Sequence, residues 1–357
     1  MYGFNAGVLH RANGGVRGFD SGAANELVRR TLAQNGFAAE GTTQPDFVST
    51  VLKGVLGNSA TLAAVRTTEE PDLPNGARFL AGSYACAEGS RDYRLYVPSK
   101  AVERLNGLLV MLHGCTQTAE DFAAGTQMNA LAEKHRFAVL YPQQARGENS
   151  RACWNWFSPG DQTRDKGEPA ILAGMTRKIV ADFGIPSSAT FVAGLSAGGA
   201  MAVILATTWP DIFAGAGVHS GLPYGSASDV STAFSAMAGR NVGTASLAPQ
   251  VPVIVFHGSA DATVSPLNAD RIAGDVRRGH SGQSLETSER RTVGGRNCTR
   301  MVETTMDGRP MIETWRIEGL GHAWSGGNAK GSHTDASGPD ASAEMVRFFG
   351  QCRRKRT

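Results

Sequence analysis

Apolar positions along the chain fall into two regimes. Over residues 1–77 they form only two modest patterns, set among Gly, Ala, Thr and Asn. One short helical pattern lies near residues 26–34, and in a second Phe47, Val48, Val51, Leu52, Val55 and Leu56 share one face. The stretch TTEEPDLPNG at 67–76 reads as a linker. From residue 78 onward short apolar runs alternate with helical stretches. Tyr93, Leu95 and Val97 alternate within 91–97 as on a half-exposed strand, whereas LLVML at 108–112 is apolar throughout, as on a strand covered on both faces. Further buried strands are expected at 137–141, 191–195, 214–218 and 253–256, with another around Trp315. Helices are expected at about 119–135, 168–183 and 197–208. This alternation predicts the α/β class: a mainly parallel sheet with helices on both faces, whose ligands gather at the carboxyl ends of the strands. The expected organisation is a partly helical N-terminal extension over 1–77, a catalytic unit over 78–350 and a basic tail over 351–357, with no internal repeat.

Composition narrows the function classes. The 35 Lys and Arg against 32 Asp and Glu leave a formal charge of +3, too small to capture nucleic acid. An apolar share of 41% suffices for a large core. Glycine, at 44 of 357 residues, exceeds the usual share of about 7% and asks for repeated tight turns or close backbone approach. No apolar run reaches the ~18 residues of a membrane span, so no membrane partner is expected. The first residues, MYGFNAGVLHRANGGVRGFDSG, lack the apolar centre of a secretory signal and read as unexported, hence cytoplasmic. Cys86, Cys115, Cys153, Cys298 and Cys352 have neither CxxC spacing nor a matching His pair, so no metal is expected. Disulfides are the other use of cysteine and would place the chain outside the reducing cytoplasm. Both compartments stay open.

The chemistry concentrates at FVAGLSAGGA, residues 191–200, where Gly194-x-Ser196-x-Gly198 stands between an apolar strand and a helix. That context marks a nucleophile elbow: a turn so tight that residues two before and two after the serine must lack a Cβ. The serine then stands at a helix N-terminus, where amide donors favour developing negative charge. It needs a base, and the base an orienting acid, in the chain order Ser, acid, His. VIVFHGSAD at 253–261 puts Asp261 just past a strand end, and IEGLGHAW at 317–324 puts His322 in a glycine-flanked loop. His333 is the rival base; Asp229 and Asp270 are rival acids but fall in expected helices. His219 and His257 end strands and read as structural. The loop HGCTQ, 113–117, follows the LLVML strand, so the Cys115 amide is a candidate oxyanion donor beside the Ala197 amide, each typically worth ~3 kcal/mol in the transition state. A Cys115 thiol nucleophile is the alternative.

Taken together, HGCTQ (113–117), YPQQ (141–144), CWNWF (153–157), GLSAGGAM (194–201), FHGSAD (256–261) and GHAWSGG (321–327) resemble the polyhydroxybutyrate depolymerase family of esterases, within the α/β-hydrolase superfamily, over roughly residues 78–350. The resemblance implies an α/β-hydrolase fold and a Ser196, Asp261, His322 triad. It also implies an oxyanion hole from the Cys115 and Ala197 amides, ester hydrolysis without a cofactor, and a disulfide between Cys115 and Cys153. Many relatives are exported, and the extension departs from a minimal catalytic unit. Trp154, Trp156 and Trp324, with Asn155 as a polar contact, are candidates to line an apolar substrate groove. The roughly 30 residues between the strands ending near 219 and beginning near 251 are too few for a large cap, so an open cleft is expected. The substrate expected is a polyhydroxybutyrate-type polyester, its oligomers or short-chain esters. A feruloyl or acetyl esterase acting on plant polysaccharide, and a catalytically silent binding module, are the competing readings.

Overall fold

The computed structural model describes residues 73–100, 104–240, 247–280 and 282–352; the helical patterns read in the first 72 residues lie outside that set. Its order is β1 (Arg78–Cys86), β2 (Gly89–Val97), β3 (Leu108–Leu112), α1 (Ala119–Thr126), α2 (Met128–His135), β4 (Ala138–Pro142), α3 (Gly167–Phe183), β5 (Thr190–Leu195), α4 (Ala197–Thr208) and β6 (Ala216–His219). There follow α5 (Val230–Met237), β7 (Val253–Gly258), α6 (Leu267–Gly279), β8 (Ser284–Val293), β9 (Arg296–Thr305), β10 (Pro310–Ile317), the short β11 (Trp324–Ser325) and β12 (Thr334–Asp335), and α7 (Ala341–Cys352).

Ten strands form one sheet in the order β1-β2-β4-β3-β5-β6-β7-β10-β9-β8. The inner strands β4, β3, β5, β6, β7 and β10 are parallel to one another. An antiparallel hairpin closes each side, β1–β2 at one and β9–β8 at the other. LLVML explains the layering. Leu108, Val110 and Leu112 point into the cluster shared with α3, α4 and α6, while Leu109 and Met111 point into the cluster shared with α1, α2 and α7. A strand apolar at every position is what a sheet covered on both faces requires.

The helix expected over 119–135 is two helices. Gln127 adopts the left-handed conformation at φ 51° and breaks the run. Thr118 caps the first of them by accepting from the Asp121 amide at 3.1 Å, with Glu120 and Asp121 in the first turn, where the helix dipole favours acids. The β8–β9 hairpin has no counterpart in the apolar pattern because β8 is exposed along nearly all its length. Only its turn at Gly294 and Gly295, both at positive φ, is marked in the sequence. On β10, Glu313 is 1% exposed and takes Arg300 Nε, Arg347 Nη2 and Trp315 Nε1 as donors, which ties the hairpin and α7 to the sheet. No described helix is long and apolar enough to cross a membrane.

Candidate active site

At the carboxyl end of β5 the chain turns directly into α4. Ser196 sits in the turn at φ 57° and ψ −119°, a backbone state that non-glycine residues rarely hold. The two glycines are a steric requirement: a Cβ at Gly194 would come within 2.4 Å of the Gly198 carbonyl group, and one at Gly198 within 2.1 Å of Leu112 O. Ser196 N donates to His219 O at 2.9 Å, which anchors the turn to the next strand. Its hydroxyl makes no capping bond to α4 and is therefore not consumed by local structure.

Asp261 lies three residues past β7 with its side chain fully buried. Oδ1 accepts from the amides of Thr263 (3.0 Å) and Val264 (2.9 Å); Oδ2 accepts from His322 Nδ1 at 2.8 Å and faces His257 Nε2 at 3.4 Å. Burial alone would raise this carboxyl, but the bonds from His257 and His322, with the Val264 amide, outweigh it and hold the group well below the usual carboxylate range. An ionised Oδ2 fixes the tautomer of His322. Nδ1 carries the proton, and Nε2 is left with a free lone pair on a ring 15% exposed. His257 Nε2 also lies 2.8 Å from Val264 O, so it too carries its proton. The rival acids serve elsewhere: Asp229 caps α5, and Asp270 in α6 pairs with Arg316. His333, the rival base, gives its carbonyl to Trp324 N at 2.7 Å.

The loop after β3 is held from several sides. A disulfide joins Cys115 to Cys153, 38 residues apart, a span whose closure removes about 4 kcal/mol of chain entropy from the unfolded state. It also removes Cys115 as a thiol. Gly114 N donates to Gln117 Oε1 (2.9 Å) and Thr116 N to Arg151 O (2.7 Å), whereas the Cys115 amide between them has no acceptor among the described residues. Nor does the Ala197 amide, at the first position of α4, where helix N–H groups lack internal partners. Gln117 Nε2 continues to Asp121 Oδ2 and Ser332 O, so the β3 loop is also bonded to the chain that follows His322.

Trp154, Trp156 and Trp324 depart from the open groove expected of them. All three rings are in the core, 0%, 6% and 1% exposed. Trp154 Nε1 donates to His113 O at 3.1 Å, and Trp324 Nε1 to Ser342 Oγ at 3.1 Å. Trp154 and Trp324 thus brace the loops instead of facing solvent, as burying an indole with its N–H satisfied allows. Asn155 is half-buried and engaged: it accepts from Asn149 Nδ2 (2.9 Å), and its own Nδ2 donates to Glu168 Oε1 (2.9 Å).

Sequence reasoning missed this supporting layer. Glu168, 3% exposed, collects Arg91, Gln144 and the Asn155 amide under the CWNWF segment. Burial, reinforced by Asp161, pushes it up to about 7 against those donors. His113 is buried, with Nε2 accepting from Gln144 N at 3.1 Å, and burial takes it down to about 4 despite the Gly114 carbonyl. Burial, with His257 and His322 nearby, takes His219 down to about 3. No spacing marks such residues, since a buried histidine is defined by what surrounds it.

These two histidines set an acid limit. Above pH 6.5 neither the folded nor the unfolded state protonates them, and their full stability is present. Below it the unfolded chain binds protons that the fold refuses until about pH 4 and about pH 3. Between pH 6.5 and 4.5 the two histidines alone cost on the order of 5 kcal/mol, two protons over two pH units at ~1.4 kcal/mol each. Glu168, raised to about 7 in the fold, binds a proton that the unfolded carboxyl declines and returns about 2 kcal/mol, so denaturant unfolding is expected to show a net loss of about 3 kcal/mol. A flat profile across that window contradicts neutral burial.

The fold and this constellation define the class: an α/β-hydrolase with the strand-end arrangement of carboxylic ester hydrolases. The chain belongs to the PHB depolymerase esterase family, whose profile matches residues 91–299. That span holds Ser196 and Asp261, and His322 lies beyond it. Among curated relatives, a poly(3-hydroxyalkanoate) depolymerase C of Paucimonas lemoignei is 38% identical over 229 residues, covering 60% of this chain and 54% of that protein. A probable acetylxylan esterase A of Aspergillus fumigatus is 32% identical over 193 residues, covering 49% and 51%. The chain thus spans about half the length of the curated relatives it matches. Among solved structures, an acetyl xylan esterase from Aspergillus awamori shares the fold at a TM-score of 0.54 and 20% identity, over 73% of this chain and 94% of that one.

Proposed function

We propose that the chain is a serine esterase that cleaves carboxylic esters through an acyl-enzyme, with residues 78–350 as its catalytic unit. The observation that carries this reading is the buried Asp261–His322 bond of 2.8 Å, which places the proton on Nδ1 and leaves the Nε2 lone pair of His322 free, at the end of the sheet where the Ser196 elbow opens. His322 Nε2 takes the Ser196 hydroxyl proton as Oγ bonds to the ester carbonyl carbon, and the Cys115 and Ala197 amides hold the oxyanion. The tetrahedral centre collapses, the C–O bond to the alcohol breaks, and His322 returns its proton to the departing oxygen. Water then enters by the same route, losing a proton to His322; the acid leaves and Ser196 regains its hydrogen. Asp261 stays ionised and stabilises the transient imidazolium.

The substrate is assigned to polyesters of the 3-hydroxyalkanoate type, their oligomers and short-chain esters, on the strength of the depolymerase relatives. The acetylxylan esterases among the relatives favour one second reading, release of acetyl groups from plant polysaccharide. The Cys115–Cys153 bond favours an oxidising compartment. The test is a panel of 3-hydroxybutyrate oligomers, the solid polymer, acetylated xylan, methyl ferulate and p-nitrophenyl esters of rising chain length, with fluorophosphonate labelling of Ser196. Oligomers are expected to exceed acetylxylan in kcat/KM by about tenfold or more, the scale that a few pocket contacts supply. The reverse order assigns the acetyl esterase reading. Failure of Ser196 to take the label leaves the fold as a binding module.

A further inference from the structure

The strand-end histidine His219 is outside the triad yet is bonded to the segments that carry two of its members. Its carbonyl accepts from Ser196 N at 2.9 Å, and its ring Nε2 accepts from Ser325 N at 3.1 Å, three residues beyond His322. The ring lies between Phe256 (centroids 5.9 Å, planes 12° apart) and Trp324 (5.2 Å, 28°), with Nδ1 3.3 Å from Ser220 Oγ. It is fully buried.

We propose that His219 is a positioning residue that keeps the nucleophile and the base in register, its backbone carbonyl holding the Ser196 turn and its ring holding the His322 loop. The proposal rests on the triad reading. A backbone N–H can only donate, so Nε2 must carry a lone pair and Nδ1 the proton, which it gives to Ser220 Oγ. An imidazolium has no acceptor and would expel Ser325. Complete burial, with His257 and His322 nearby, keeps the ring neutral, in line with its depressed proton affinity. The His322 loop is also tied elsewhere: Gly319 N bonds to Ser259 Oγ, Ala260 N to Leu320 O, Trp324 N to His333 O, Trp324 Nε1 to Ser342 Oγ and Ser325 Oγ to Pro339 O. Of these ties, the Ser325–His219 bond is the one that reaches the strand beside the nucleophile.

His219→Phe keeps an aromatic ring between Phe256 and Trp324 and deletes the acceptor. His219→Gln deletes the ring and puts an amide oxygen near the Nε2 position. In the full chain with p-nitrophenyl butyrate, His219→Phe is expected to lower kcat by about tenfold to a hundredfold with KM changed less than about twofold, since small displacements of reacting groups cost rate before binding. The Ser325 amide should exchange with solvent faster. His219→Gln should keep both kcat, within about fivefold, and the amide protection. Wild-type kcat in His219→Phe overturns the proposal. So does a folded His219→Gln that protects the Ser325 amide yet is as impaired as His219→Phe, because restoring the acceptor would then not restore the rate. Should the Phe variant not fold, the Gln variant decides by the same two readings. If the wild type fails to take a fluorophosphonate at Ser196, the triad reading falls, while Ser325 exchange in the two variants still reports whether His219 makes the link.

Discussion

Ser196→Ala is expected to lower kcat by about a millionfold while leaving the protein folded. In the proposed mechanism the rate falls because everything else in the constellation prepares one atom. The Asp261–His322 pair has no proton to take, and the amides at Cys115 and Ala197 have no oxyanion to receive, until Oγ attacks. The residual rate would come from those amides and from binding alone. Stability is expected to change by less than about 1 kcal/mol, because the hydroxyl neither caps α4 nor fills the core and alanine can hold the same φ of 57°. Active-site titration and thermal melting of the two proteins check both halves. A retained acylation burst would remove Ser196 from the mechanism.

Asp261→Asn is expected to cost about ten-thousandfold in kcat, and unlike the serine change it should also destabilise the fold. Oδ1 receives two backbone amides, and Oδ2 receives His322 with His257 close by, so all four neighbours present N–H groups. An asparagine has one oxygen. If it faces His322, its NH2 meets the amides of Thr263 and Val264; if it is reversed, it meets Nδ1–H and forces His322 into the tautomer whose Nε2 carries the proton. Each orientation leaves buried donors unpaired, at about 1–3 kcal/mol apiece. Kinetics alongside denaturant titration should show the paired loss. A variant fully stable and within tenfold of wild-type rate would assign the orienting acid elsewhere.

The contrast between these two positions explains what could be read from the chain. Ser196 and Asp261 follow runs of fully buried strand residues, His322 follows the mixed strand β10, and β3, at 108–112, matches its expected range residue for residue. Strands buried on both faces have no ambiguity of side, so their ends are sharp and so are the residues placed there. The β8–β9 hairpin is the opposite case: β8 is polar because it is an edge strand facing solvent, and nothing periodic marks it. The tryptophans failed differently. Residue type alone does not separate an aromatic that greets a ligand from one that braces a loop, and Trp154 and Trp324 brace. His219 and His257 read as structural strand-end residues, yet only the folded chain brings them against Ser325 and Asp261.

The inner six strands are all parallel, and that arrangement governs when the site comes into being. Parallel neighbours cannot be joined by a tight turn, so each pairing waits for a crossover to close. The connection from β7 to its parallel neighbour β10 runs through α6 and the β8–β9 hairpin, and His322 follows β10. A chain arrested before that docking holds the serine turn and the acid loop without their base. Hydrolytic activity regained during refolding therefore times the completion of the sheet, whereas helix content and collapse report its beginnings.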